Sequence, residues 1–222
     1  MGRMLFRPPR PFSLALSTVL SVSFVGAQQT PKPSQQSSSS KAAANPHGHA
    51  STPDAGVVRD GAYRNPSFGF SYKVPFGWVE RTKEMQQDPA DLSKSSVLLA
   101  IFERPPEATG NTINSAVVIA IEKVSSFSGL KTAADYFGPV TGLATAGGFK
   151  AVNEPYEFSV GAKPLVRGDF SKERGSLTMY QTSLVMLEKG YAVSFTFIGG
   201  SEDEVGELIE RLTFAAKKSV GM

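Results

Sequence analysis

The sequence predicts an α+β fold, a mostly antiparallel sheet of about six to seven strands with helices covering its faces. Three observations predict it. Apolar and small or polar residues alternate with strand period over Phe68–Val74. Four strand-like segments succeed one another between residues 152 and 198, joined by short glycine-containing turns. A capped amphipathic helix then closes the pattern after Ser201.

Two segments precede the domain. Arg3, Arg7 and Arg10 are the only charged side chains before residue 28, and Phe12–Gly26 carries no charge. Val25-Gly26-Ala27 follows with the small residues of a signal-peptidase site, so residues 1–27 read as a signal peptide cut after Ala27. The alternative is an uncleaved anchor, but the apolar stretch is serine-rich and shorter than the ~20 residues a spanning helix needs. Residues 28–56 are dominated by Gln, Ser, Pro, Ala, Lys, Gly and His, and no large apolar residue occurs there before Val57. Such a segment buries too little to offset the entropy of ordering it, and it reads as a disordered tether.

Residues 57–216 read as one domain, followed by a flexible tail at 217–222. Phe68–Val74 is its first clear strand, closed by the turn residues Pro75-Phe76-Gly77-Trp78. Residues 79–96 are polar and read as a loop with a short helical piece. Ser96–Glu103 is a nearly continuous apolar run, as expected of a strand covered on both faces, and Pro105-Pro106 stop it. Ile113–Lys123 is β-branched and aliphatic, a further strand. Leu130–Thr145 reads as helical, with Ala133, Ala134, Phe137 and Thr141 on one side, a bend or break at Gly138-Pro139, and an end at Gly147-Gly148. The next strands are Val152–Val160, Pro164–Lys172, Leu177–Leu187 and Tyr191–Ile198, with hairpin turns at Glu173-Arg174-Gly175 and Lys189-Gly190. Ser201 and Glu204 have capping-box spacing, and Val205, Leu208, Ile209 and Leu212 mark one helical face.

The stretch Tyr63-Arg64-Asn65-Pro66-Ser67-Phe68-Gly69-Phe70-Ser71-Tyr72-Lys73-Val74-Pro75-Phe76-Gly77-Trp78 resembles the opening of PsbP-like domains. The ending is similar too, where Tyr191–Ile198 precedes a turn, an amphipathic helix and Leu212-Thr213-Phe214. The resemblance covers most of residues 60–215 in element order and these two ends in residue pattern. It implies an α/β/α sandwich and a non-enzymatic accessory or binding role. The family includes extrinsic photosystem II subunits and many exported proteins.

Composition bounds the function. The 222 residues are 41% hydrophobic and 19% charged, which is globular. The net charge is +3, matched by the three arginines of the signal, so the remainder is balanced and gives no basic surface for nucleic acid. There is no cysteine, which excludes disulfides, thiol catalysis and thiolate metal sites. His47 and His49, with Asp54 nearby, lie in the tether, and a zinc site needs three or four ordered ligands, so no metal and no cofactor is expected. Without histidine after residue 49 a Ser-His-Asp triad has no base. Carboxylates such as Glu154 and Glu157, or Asp169 and Glu173, have no distinguishing context and read as solvated surface. Thr145-Ala146-Gly147-Gly148-Phe149 lacks the ending of a phosphate loop. Glu202, Asp203, Glu204, Glu207 and Glu210 read as a polar helix face without an EF-hand loop, and Lys217-Lys218 is too short for a membrane or nucleic-acid patch.

Six aromatics fall between Tyr63 and Trp78. Phe68, Phe70 and Tyr72 share a strand face and are assigned to the core. Phe76 and Trp78, in the turn, and Tyr63 are the candidate binding residues, since aromatic rings make strong anchors. The sequence therefore predicts an exported, monomeric, non-enzymatic binding or accessory module, periplasmic or extracellular. It would contact a protein or small ligand and meet membrane only through its signal. The alternatives are a carboxylate-dependent hydrolase and an envelope protein held by an uncleaved N-terminal helix.

Overall fold

The computed structural model describes residues 53–86, 95–108 and 110–215. The expected signal segment, the expected tether through residue 52 with His47 and His49, and the expected tail with Lys217-Lys218 lie outside the described residues. In chain order the elements are β1 (Val57–Arg59), β2 (Ala62–Asn65), β3 (Phe70–Lys73), β4 (Val79–Glu80), α1 (Thr82–Met85), β5 (Ser95–Phe102) and β6 (Ala116–Lys123). They continue as α2 (Phe137–Ala146), β7 (Lys150–Ala151), β8 (Tyr156–Val160), β9 (Lys163–Arg174), β10 (Leu177–Glu188), β11 (Tyr191–Gly199), α3 (Glu202–Glu210) and β12 (Leu212–Phe214).

These strands form two antiparallel sheets. The larger has eight strands in the order β4-β5-β6-β11-β10-β9-β7, with β8 also paired to β9. The smaller has four, β1-β2-β3-β12. The antiparallel pairing expected from the hairpin signals is present. The sandwich flanked by helices is overstated. One face of the large sheet is covered by the small sheet together with α3, and helices are few. β2 and β3 are short, and alternation gives each of them one buried face toward the large sheet, whereas β1 is exposed throughout.

The core lies between the sheets. Phe70 packs edge-on against Phe195 at 4.9 Å between ring centroids, and Tyr72 lies 6.2 Å from Phe197. Val205, Leu208 and Ile209 of α3 join the same cluster. On the opposite face of the large sheet, Tyr136 and Phe137 pack on Val185 and Ala192. The strands of the large sheet thus carry apolar residues on both faces, which explains the continuous run Val97–Ile101.

Several local expectations need correction. Phe68 is not in a strand. It sits in a turn where its N–H donates to the Asn65 side-chain oxygen at 3.0 Å, and β3 begins at Phe70. α2 starts at Phe137 rather than bending at Gly138-Pro139. Pro139 falls in the first turn, where backbone N–H groups have no intrahelical acceptor, so its missing donor is harmless. The strand expected over 152–160 begins only at Tyr156, because Val152–Pro155 separate β7 from β8. Leu212 is buried, but in β12 and not on α3. Asp169 is not simply solvated. It accepts hydrogen bonds from Arg167, Thr182, Asn153 and Tyr156.

Asp54–Gly56, which composition assigns to the tether, hydrogen-bond to the domain. The Asp54 N–H donates to Ser67 Oγ at 2.8 Å, and the Asn65 side-chain amide donates to the Asp54 carbonyl at 3.1 Å.

Candidate functional site

A groove lies on the outer face of the small sheet. Its volume is about 640 Å³, within the range of ligand sites. Alternation decides what lines it. Tyr63, Asn65, Phe70, Tyr72 and Leu212 point into the core, so Ala62, Arg64, Ser71, Lys73 and Thr213 point outward. Arg211, at the end of α3, and the turn Pro75–Trp78 complete the lining, with Asp60 as its only carboxylate.

The turn is built by local chemistry. Pro75 presets its own φ and is itself buried, while Gly77 adopts φ +83°, the left-handed conformation that the third residue of a type II turn requires. The Trp78 N–H closes the turn on the Pro75 carbonyl at 3.3 Å. Phe76 at the tip is fully exposed. Trp78 is half-buried, with part of its ring against the main core.

Of the three candidate binding residues, the structure brings Phe76 and Trp78 together at this groove. It places Tyr63 on the other side of the sheet, 2% exposed. The Tyr63 hydroxyl donates to the Ala55 carbonyl and accepts from the Asn65 amide. Burial pushes its phenol well above the ordinary range, so it stays neutral.

The basic set Arg64, Lys73 and Arg211 escaped sequence reasoning. Arg211 is remote in sequence, and only the β3–β12 pairing carries it to Lys73. The Lys73 N–H donates to the Arg211 carbonyl at 3.0 Å. Arg64 donates to the backbone carbonyl of Arg59 at 3.1 Å. None of the three cations forms an ion pair among the described residues, whereas Asp60 pairs with Arg59 at 3.6 Å. The site is a cationic surface with an aromatic rim.

A second groove of about 310 Å³ is lined by Arg104, Glu107, Thr112, Asn114 and Arg174. Its principal cation is already engaged, since Arg104 donates to Thr112 at 2.9 Å and pairs with Glu103 at 3.3 Å. The most buried carboxylate arrangement is elsewhere. The Tyr136 hydroxyl donates to Glu122, and burial pushes the Glu122 carboxyl above its usual range, while that hydrogen bond opposes the shift. Neither residue lines either groove. Among the described residues there is no metal-holding cluster of His, Cys, Asp and Glu, and no helix is long and apolar enough to cross a membrane.

No protein-family model matches the chain, and no curated protein does. Among solved structures it is similar to the Saccharomyces cerevisiae Ran-binding protein Mog1p, with 12% identity and a TM-score of 0.40, covering 66% of this chain and 90% of that one. It is also similar to LpqN of Mycobacterium tuberculosis, which is involved in cell envelope biogenesis, with 13% identity, a TM-score of 0.36, and coverage of 66% and 83%. A Bacteroides thetaiotaomicron protein overlays with 13% identity and a TM-score of 0.37 over 67% of this chain. This chain spans about half of that protein's length, 46%. Scores this low mark partial overlays, too loose to transfer a fold or a role.

Proposed function

We propose that the protein is an exported, non-enzymatic binding module that engages an anionic partner through the Phe76/Trp78 groove. The observation carrying this reading is the juxtaposition, at one groove, of two aromatic side chains and three cations that form no ion pair among the described residues. Cations of this kind attract anions, and aromatic rings anchor the apolar part of whatever carries them. The lining favours binding over chemistry. Its polar groups are cations, hydroxyls and the lone carboxylate of Asp60, so it holds neither a carboxylate pair nor a histidine to share acid and base roles. The resemblance of residues 63–78 to PsbP-like domains points to the same kind of role. Export rests on the arginines and the Val25-Gly26-Ala27 site, and N-terminal sequencing of protein from the cell envelope or medium should begin near Gln28.

Trp78 is the only tryptophan, so its fluorescence reports on the groove without interference. Titration with polyglutamate, inorganic phosphate and anionic vesicles should give a saturable change with at least one of them. That change should weaken with salt and vanish in Arg211→Glu. Silence toward all three, or turnover of an ester, peptide, glycoside or phosphate substrate lost with a single carboxylate, would overturn the reading.

A further inference from the structure

The groove's anion can be named more closely, on the footing that the groove is a binding surface. The register Ser71↔Thr213 and Tyr72↔Leu212 places Lys73 directly across from Arg211. Lys73 alternates with the buried Tyr72, and Arg211, the C-cap of α3, lines the same groove, so both side chains share the outer face. Like charges directly opposite one another destabilise a sheet. Arg64, opposite Ser71, adds a third cation one diagonal away. The lining's lone acid, Asp60, is engaged with Arg59. An anion seated among Lys73, Arg211 and Arg64 relieves this repulsion, and phosphate suits it because guanidinium groups bind phosphate oxygens in pairs.

The same face ends in a ring that no other described residue covers. Pro75 and Gly77 hold Phe76 at the tip of its turn, fully exposed, with Trp78 half-buried behind it. A membrane interface accepts a protruding aromatic ring without a shaped pocket. The groove opens across the outer faces of β2 and β3, which are paired on both sides, so an extended peptide lying over them meets no row of free backbone groups there for strand addition. Residues 1–52 and 216–222 contain lysine and arginine but no aspartate or glutamate, so they are repelled by the groove and attracted to an anionic surface.

We infer that this face docks on anionic phospholipid, with a headgroup phosphate among Arg64, Lys73 and Arg211 and the rings of Phe76 and Trp78 in the interfacial layer. This extends the contact with membrane beyond the signal segment.

The test is vesicle sedimentation and Trp78 emission with the full chain, comparing phosphatidylcholine vesicles with vesicles containing about a third phosphatidylglycerol, a composition that gives a strongly negative surface. Variants share the wild-type N-terminus, so differences between them read the groove alone. The anionic vesicles should shift Trp78 emission to the blue, and neutral ones should not. The double variant Lys73→Glu/Arg211→Glu should weaken partitioning at least tenfold. Phe76→Ala should weaken it several-fold and reduce the blue shift. Circular dichroism checks that the fold is intact, and the single variant Arg64→Glu, at an exposed position, serves if the double variant does not fold. Equal response to both vesicle types, or no loss in a folded charge variant, overturns the inference. Displacement of the vesicles by polyglutamate at equal charge concentration also overturns it, in favour of an acidic protein partner. A response to inorganic phosphate or polyglutamate without one to vesicles defeats the lipid inference and leaves the binding reading standing. Silence toward every probe defeats both.

Discussion

Gly168 shows how little space a single position can spare. It lies in β9, and a Cβ built there would sit 2.5 Å from Cε1 and 3.0 Å from Cδ1 of the buried Phe137 ring. The absence of a side chain is what lets the first turn of α2 rest on the large sheet. Gly168→Ala should therefore displace that ring and destabilise the domain by about 1–3 kcal/mol, as overpacking does. Chemical denaturation measures this, and adding Phe137→Leu should recover part of the loss, because contacting residues are not additive. A neutral Gly168→Ala would show that the helix has room to move. Nearby, the Glu122 carboxyl receives the Tyr136 hydroxyl. Burial raises its folded pKa above the unfolded value, although the hydrogen bond pulls the other way. The folded state thus holds this proton more tightly than the unfolded chain. The site favours folding most fully below the unfolded pKa, and that advantage is lost as pH rises through the folded pKa. Glu122→Gln keeps an acceptor for Tyr136 and removes the titration. As pH rises from the ordinary carboxylate range through the raised pKa of this carboxyl, the melting temperature of wild type should fall relative to the variant. Parallel curves would show that the carboxyl is not perturbed by its surroundings.

Among the elements, α3 was the easiest to read, because its start is written in adjacent residues. Ser201 Oγ accepts from the Glu204 N–H at 3.1 Å, as the capping-box spacing predicts. Glu204 adds a twist that spacing does not show. Its carboxylate accepts from the Gly200 N–H at 2.8 Å and from the Ser115 hydroxyl, tying the helix start to the loop before β6. Ser201→Ala should cost about 1 kcal/mol, the usual worth of an N-cap, read as a lowered denaturation midpoint with unchanged slope. A loss no larger than the scatter between wild-type measurements would mean that Glu204 alone secures the helix end. The strands β9 to β11 were legible for the same local reason. Lys189-Gly190, both at positive φ, close the β10–β11 hairpin as expected. The hairpin of β1 and β2 carried an equally good signal, Asp60-Gly61, with φ +52° and +69°. Sequence pattern does not frame it, because Val57-Val58-Arg59 has no alternation of apolar and polar residues, and in the structure all three are exposed. β12 was hidden differently. Its three residues pair only with β3, far away in the chain, and Leu212 falls at helical spacing after Ile209.

At the scale of the whole molecule, the candidate site was half legible for a related reason. Phe76 and Trp78 stand together in a local turn, whereas the cation set exists only once β12 has paired with β3. Tyr63 was misplaced because alternation, not proximity in sequence, decides which side of a sheet a ring takes. The two sheets share one aromatic core, with Phe195 touching both Phe70 and Phe214, so neither sheet should unfold without the other. The domain's beginning is part of that unit. Ala55 accepts the Tyr63 hydroxyl, Asp54 accepts the Asn65 amide, and Asn65 in turn holds the Phe68 turn. Tyr63 and Asn65 are both almost completely buried, so their polar groups depend on these carbonyls. Two chains that differ only in starting at Pro53 or at Val57 should therefore differ in stability by about 1–3 kcal/mol, the range for buried polar groups deprived of partners. The shorter chain should melt lower, still in a single transition, because the loss falls on a core that both sheets share. Water reaching Tyr63 through the opened edge would reduce the loss, and equal melting temperatures would place the structural boundary of the domain at Val57. If the difference appears instead as a separate early transition, the small sheet unfolds on its own and the shared-core argument fails.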